Sequence, residues 1–175
     1  MTTNEERQLG RAKNAALAFF ERRLSVPKIY IDAMWDGQHV DILAIDRDGV
    51  GDVHAVLLFA SNFAGDSAAC DDDLTKAIEP LIDRFHEIPA QYKYIGAVDV
   101  SLKGADALPG VPHPLVDKSF SPDGMGKIGF LAVQFLTGGE TEVRVVFKPE
   151  RFRAKIAKLA DEYIQHHEAD WEIRA

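Results

Sequence analysis

VDILAI (Val40–Ile45) and VHAVLLFAS (Val53–Ser61) are the two apolar stretches that decide the predicted fold. Turn residues bound them, with Asp36-Gly37 before the first stretch and Asp48-Gly49 between the two. Short apolar runs between such turn signals predict neighbouring β-strands. The second stretch is apolar almost throughout, which predicts a central strand that is covered on both faces of its sheet.

Hydrophobic periodicity predicts three helices outside this pair of strands. The first runs from about Asn4 to Leu24, and the last carries its apolar residues between Phe152 and Ile164. The second is expected to begin at the three aspartates Asp71–Asp73, because negative charge is favoured at a helix N-terminus. It carries apolar residues as far as Phe85 and is closed by Pro89. Residues 62–70 are small and polar and are predicted to form a loop, and Pro80 predicts a kink or a break into two short helices.

Four further stretches have strand character, and they complete an α/β pattern. In chain order they are Ile29–Trp35, Tyr92–Val100, Lys127–Leu136 and Glu142–Lys148. The elements then follow as one helix, three strands, a helix, a strand, a long loop, two strands and a helix. This order predicts a mixed central β-sheet flanked by helices. The length of 175 residues suits a single domain over residues 1–175.

Residues 101–126 form a predicted proline-rich insertion loop, since four of the eight prolines fall there and no regular pattern continues through them. A long irregular segment in a compact domain is typically functional or disordered. Its apolar side chains are predicted to bind a partner, because proline stiffening lowers the cost of ordering the segment; packing on the protein's own surface is the alternative. The predicted partner-binding residues are Leu108, Val111, Leu115, Val116 and Phe120.

Composition limits the class of function. Apolar residues make up 46% and charged residues 27%, as is ordinary for a globular protein. The chain has no apolar run of the length typical of a membrane span. Residues Met1–Arg11 are polar and charged and lack the apolar core of a secretory signal, so we do not expect them to act as one. The single cysteine, Cys70, fits a reducing compartment, so we expect a cytoplasmic protein. A net charge of −8 disfavours nucleic-acid binding, which usually needs a basic face.

The element order and the first hairpin resemble the PD-(D/E)XK, or restriction-endonuclease-like, superfamily, whose core runs αβββαβ. The resemblance covers about Asn4–Val100. It implies that Asp41 matches the metal-binding aspartate of the first strand, and that Glu21 matches an acid that some members carry on the first helix. The next strand then places Leu57 at the position of the family's second acid and Phe59 at that of its lysine. Leucine and phenylalanine cannot coordinate magnesium or transfer a proton.

The chain is therefore predicted to be a degenerate member of that superfamily, a non-catalytic binding or assembly domain without a cofactor. It would act through protein–protein contact, with a protein partner or with a second copy through an edge strand at Val143–Phe147. The alternative is a Mg²⁺-dependent nuclease that uses Glu21, Asp41 and a relocated partner residue. Asp41 also has the simpler interpretation of a solvated acid near a sheet end. A third interpretation, a small-ligand or regulatory domain, has no motif in the chain.

Overall fold

The computed structural model describes residues 3–25, 27–46, 52–61, 67–99, 125–135 and 140–167. Within these ranges the chain forms three α-helices and six β-strands. The helices are α1 (Thr3–Arg23), α2 (Ser67–Phe85) and α3 (Ala157–His166). The strands are β1 (Pro27–Trp35), β2 (Gln38–Asp46), β3 (Val53–Ser61), β4 (Tyr92–Asp99), β5 (Gly129–Phe135) and β6 (Thr141–Phe147).

All six strands belong to one sheet, in the order β1-β2-β3-β4-β5-β6. The pairs β1–β2, β2–β3 and β5–β6 are antiparallel, while β3–β4 and β4–β5 are parallel. The predicted α/β class and mixed sheet are confirmed. β3 lies third in the sheet and its residues 53–57 are fully buried or nearly so, as expected of a central strand.

Helices cover the two faces of the sheet. On the α1 face, Ala16 and Phe20 of α1 pack against Ile42 and Val56. On the opposite face, called the α2 face, α2 and α3 pack against side chains that include Leu57 and Phe130. Burial of these two apolar layers, one on each side of the strands, is the main favourable contribution to folding.

The structure corrects two predictions about α2. The helix begins at Ser67, so the last four residues of the predicted loop 62–70 are helical and Asp71–Asp73 follow the first turn. The small residues of this segment suggest a loop, but Ala68 and Ala69 have the highest intrinsic helix propensity of any residue type. The helix also continues without a break through Pro80. Pro80 and Lys76 are exposed, so water can bind the carbonyl that loses its helical donor, while Ile78 and Ile82 hold the helix to the sheet.

Several sequence predictions concern residues outside the described ranges. Most of the insertion loop 101–126 is among them, with all five predicted partner-binding residues: Leu108, Val111, Leu115, Val116 and Phe120. The role assigned to them therefore stays a prediction. Among the described helices, none has the length and apolar character that crossing a membrane requires.

Candidate functional site

The β1–β2 hairpin brings two aspartates to the same level of the sheet. Asp36 and Gly37 at its turn both have positive φ, 49° and 80°, which is the backbone of a two-residue hairpin turn with matched strand twist. The resulting register pairs Ile31 with Ile42 and Ala33 with Val40. Asp32 and Asp41 stand between these pairs and therefore oppose each other across the two strands.

Asp32 is turned onto the α1 face by its own backbone. Its φ is +52°, a conformation that few residues other than glycine adopt but that aspartate tolerates better than most. Ile31 packs on the α1 face and Ala33 in the core of the α2 face. The side chain of Asp32 accepts a hydrogen bond from Lys13 of α1, so it lies on the α1 face as Ile31 does. The alternation of β1 is therefore shifted by one residue at this point.

β2 shows the same shift at the same level. Val40 packs in the α2-face core and Ile42 in the α1-face core, yet Asp41 between them is in ion-pair range of Lys13 on α1. Asp41 and Ile42 therefore both face α1. Because the alternation shifts at the same level in β1 and in β2, both carboxylates lie under α1. With regular alternation from Ile42, the side chain of Asp41 would point to the α2 face.

Lys13 and His39 complete a cluster, called the Lys13–Asp32–Asp41 cluster below. Lys13 Nζ lies 2.7 Å from Asp32 Oδ1 and 3.6 Å from Asp41 Oδ1. His39 Nε2 lies 3.2 Å from Asp32 Oδ1. The ligand atoms of Asp32, His39 and Asp41 all lie within 4.8 Å of one another. One imidazole and two carboxylates are a donor set that divalent cations accept.

Ion pairing favours the ionised form of Asp32. Partial burial opposes ionisation of this carboxyl, but the hydrogen bond and charge of Lys13, with a smaller contribution from His39, outweigh it and lower the pKa of Asp32. The side chain of Asp32 is 50% exposed, whereas that of Asp41 is 14% exposed. The cluster is thus open to solvent at Asp32 and closed at Asp41.

Asp41 also accepts a hydrogen bond at the level where β2 and β3 stop pairing. The β2–β3 ladder ends at the pair Ile42–Val56, while β3 continues along β4 as far as Ser61. The Leu58 N–H, which points away from β4 at this level, donates instead to Asp41 Oδ2 at 2.7 Å. Asp41 is therefore a structural acceptor as well as a member of the cluster.

Asp41→Ala should lower the free energy of unfolding by about 1–3 kcal/mol, because it leaves the Leu58 N–H without its acceptor in a half-buried position. Asp41→Asn is the matched control, since its amide oxygen can still accept that hydrogen bond. Urea denaturation of the two variants beside the parent protein measures the difference. Equal stabilities for Asp41→Ala and Asp41→Asn would show that this hydrogen bond contributes nothing.

The structure separates the residues that the nuclease resemblance groups together. Glu21 is exposed on α1, eight residues beyond Lys13 and hence about 12 Å further along the helix axis. Leu57 and Phe59 pack on the α2 face, opposite to the face that holds the carboxylate of Asp41. The described structure thus does not assemble a metal site from Asp41 with Glu21, Leu57 or Phe59.

Sequence reasoning missed Lys13, Asp32 and His39. The pairing of Asp32 with Asp41 follows from counting outward from the Asp36-Gly37 turn, so that signal was present. No feature of the sequence indicated that Lys13 would lie beside these aspartates, because the position of α1 over the hairpin depends on packing between distant segments. The cation of this cluster comes from α1.

The two edges of the sheet differ. β1 forms one edge and contains three features that hinder pairing with another strand: Pro27, Lys28 and the positive-φ Asp32. β6 forms the other edge, and no described strand lies beyond it. Its register with β5 is regular from Thr141 to Val145, here called the β6 edge segment, and shifts beyond Val145.

A groove runs beside the β6 edge segment on the α1 face, with a volume of about 480 Å³. Its floor is formed by small and apolar side chains of α1 and by Val143 of β6. Arg23 stacks over Phe19 there, 4.2 Å from the ring centroid. The groove residues are Ala15, Ala18, Phe19, Arg22, Arg23, Glu140, Thr141, Glu142 and Val143.

Comparisons with known proteins do not assign a family. No protein-family model matches the chain, and no curated protein matches it. Among solved structures, the chain is similar to the SPO1766 protein of unknown function from Silicibacter pomeroyi, with 10% sequence identity and a TM-score of 0.38. The match covers 78% of this chain and 68% of that one. A TM-score this low does not establish a shared fold.

Proposed function

We propose that the protein is a non-catalytic assembly domain on a scaffold that resembles the restriction-endonuclease-like fold, and that it acts through protein–protein contact at the edge of β6. The observation that carries this proposal is the regular β6 edge segment, which lies at the end of the sheet among the described strands. An edge strand presents a row of backbone donors and acceptors to which another strand can be added.

The contrast between the two edges supports the proposal. Edges that must not pair carry proline, charge or an irregular backbone, as β1 does at Pro27, Lys28 and Asp32. The β6 edge segment contains no proline and keeps a regular register with β5. Its two charged residues, Glu142 and Arg144, have opposite signs and pair with each other, and its side chains are all half-buried. The adjacent groove offers space for the side chains of an added strand on the α1 face.

The charges of the Lys13–Asp32–Asp41 cluster also favour a binding role over catalysis. Lys13 compensates both carboxylates, and one oxygen of Asp41 is occupied by the Leu58 N–H. An ion pair that is already satisfied within the fold stabilises the hairpin against α1 without requiring a metal ion. The cluster is thus explained by structure alone.

A synthetic peptide with the sequence of residues 140–147 serves as a probe of the edge. We expect it to bind the full chain and to slow hydrogen exchange at those amides of Thr141–Val145 that point away from β5. Alternate amides of an edge strand point outward, so protection should appear at every second residue. Exchange is measured by NMR or mass spectrometry with and without peptide, on protein diluted until it no longer self-associates, so that the edge is accessible to the peptide.

The control peptide has proline in place of the residue that corresponds to Val143, which removes a donor and restricts the backbone. It should protect the β6 amides much less than the parent peptide. Equal protection by both peptides, or protection that avoids β6 altogether, would refute strand addition at this edge.

A second candidate function, a Mg²⁺-dependent nuclease with relocated residues, is favoured by one observation. Lys13 places a cation beside Asp32 and Asp41 from a different element than the one the family uses. Asp32, His39 and Asp41 would hold the metal ion, and the ion would supply charge neutralisation at a phosphodiester. The fit is incomplete, because Lys13 occupies the space between the carboxylates and would compete with a cation.

Mn²⁺ titration by calorimetry, together with a plasmid-nicking assay in Mg²⁺, separates the two functions. The nuclease function requires both binding and cutting, and both should be lost in Asp32→Asn, since asparagine keeps the tolerance for positive φ but removes the charge. Glu21→Gln is the control and should change neither. We expect the parent protein to bind no Mn²⁺ at the cluster and to leave the plasmid intact; metal-dependent cutting that Asp32→Asn abolishes would replace our proposal.

A further inference from the structure

The charge pattern of the β6 edge segment indicates which strand it accepts. The segment reads Thr141-Glu142-Val143-Arg144-Val145, with one acid and one base on either side of a central valine. Val143 and Val145 pack on the α1 face, so Glu142 and Arg144 alternate to the other face. Their side chains form an ion pair of 2.6 Å between Arg144 Nε and Glu142 Oε1 and are about one quarter exposed.

Symmetry restricts how two copies of this strand can meet. Two identical edge strands that pair antiparallel are related by a twofold axis perpendicular to the sheet. Opposed residues in an antiparallel pair project from the same face, so the axis must lie midway between the two copies of one residue, which then opposes itself. The candidate centres are therefore the individual positions of β6.

Electrostatics distinguishes these centres. An axis at Glu142 opposes two glutamates, and an axis at Arg144 opposes two arginines; like charges directly across a ladder repel. The Glu142 axis would also oppose Arg144 to Glu140, but Glu140 lies outside β6. An axis at Val143 opposes Glu142 of each copy to Arg144 of the other. This register forms two ion pairs between the copies and places the two Val143 side chains together on the α1 face.

The register shift of β6 disfavours another apolar centre with a charge match, Val145. An axis at Val145 would oppose Glu142 to Lys148, but Lys148 lies outside β6. That ladder would also cross the register shift beyond Val145, where an irregular backbone interrupts pairing. The axis at Val143 uses Thr141–Val145 alone, which is the part with regular register. It also brings Val145 of the second copy opposite Thr141, at the wall of the groove.

We infer that the strand accepted by this edge is β6 of a second copy of the chain, paired antiparallel about a twofold axis at Val143. The inference rests on the proposed role of the β6 edge and adds the identity and register of the partner. The product is a symmetric dimer with one continuous sheet, in which Glu142 and Arg144 of each copy face Arg144 and Glu142 of the other.

Charge reversal tests the register. Arg144→Glu opposes glutamates at both symmetric positions, and Glu142→Arg opposes arginines, so each variant alone should raise the dimer dissociation constant by roughly tenfold or more. A mixture of the two variants restores both ion pairs and should form a mixed dimer with affinity near that of the parent protein. Analytical ultracentrifugation over a concentration series, with one variant fluorescently labelled, measures both results.

Two further variants are controls. The double exchange Glu142→Arg with Arg144→Glu keeps the ion pairs with reversed polarity and should dimerise like the parent. Lys148→Glu should leave the dimer unchanged, whereas weakening by Lys148→Glu together with an unaffected Arg144→Glu would move the axis to Val145. Formation of the mixed dimer also shows that both single variants fold.

The outcomes separate this inference from the proposed function. A parent dimer that Arg144→Glu leaves intact, or single variants that the mixture fails to rescue, would overturn the register. A parent protein that stays monomeric while the 140–147 peptide still protects β6 would overturn self-pairing and leave strand addition standing. Failure of the peptide and of the dimer together would overturn both.

Discussion

Leu57→Glu is expected to lower the free energy of unfolding by more than about 4 kcal/mol, enough to unfold much of the protein. Leu57 is fully buried in the α2-face core. The nuclease resemblance places an acid at this position, where a family member would have it facing a metal. In this fold a carboxylate there would be surrounded by hydrocarbon without a partner, and burying an unpaired charge is among the most costly single changes.

Met34→Glu is the matched control for this prediction, since it introduces the same charge on a strand of the same sheet. Met34 is 59% exposed, and we expect its replacement to change stability by no more than about 0.5 kcal/mol. Chemical denaturation of both variants gives the comparison. A Leu57→Glu variant as stable as Met34→Glu would mean that position 57 does not face the apolar core.

His54 gives the second large expected effect, an acid sensitivity that originates in the core. Its side chain is 7% exposed, and its ring stacks on Tyr92 with centroids 4.7 Å apart. Burial disfavours the charged imidazolium and lowers the pKa of His54 from 6.5 to about 4, although Asp52 and Asp46 act in the opposite direction. His54 is therefore neutral in the folded protein at pH 7.

The sign of the effect follows from which state takes up the proton first. The unfolded chain binds a proton at His54 as pH falls through about 6.5, whereas the folded protein does so only near 4. The free energy of unfolding is therefore unaffected by protonation of His54 above pH 6.5, and it falls progressively as the pH drops from 6.5 to 4. A difference of this size corresponds to a loss of about 3 kcal/mol.

His54→Phe should remove this part of the pH dependence, because phenylalanine keeps the aromatic packing and takes up no proton. The difference in free energy of unfolding between pH 7 and pH 4 should be smaller by about 3 kcal/mol than in the parent protein. His166→Phe, which replaces an exposed histidine on α3, controls for the loss of a histidine as such. Parallel pH profiles for the parent and His54→Phe would contradict a buried neutral His54.

Local pattern predicted most of the elements because the responsible forces act over short distances. Alternating or continuous apolar residues identified the six strands, and Asp36-Gly37 indicated the hairpin turn that pairs β1 with β2. The predictions failed at α2, where small residues at its start resembled a loop and Pro80 was expected to break the helix. Packing of the apolar face of α2 on the sheet outweighs the lost hydrogen bond.

The candidate sites depend on contacts that periodicity does not contain. Asp41 was identified as notable, but regular alternation predicts that its side chain points away from α1. The positive φ of Asp32 and the matching shift in β2 place both carboxylates beside Lys13. Such a backbone conformation is stable only when surrounding contacts compensate its cost, so it follows from the assembled fold.

The sequence by itself determined the α/β class and the order of the helices and strands. The tertiary structure alone decided that α1 supplies the cation of the cluster, that Leu57 lies on the opposite face, and that the regular part of β6 ends at Val145. The physical reason is the distance along the chain over which each interaction acts. Hydrophobic period and turn chemistry act between near neighbours, whereas the pairing of distant segments is set by the packing of the whole chain.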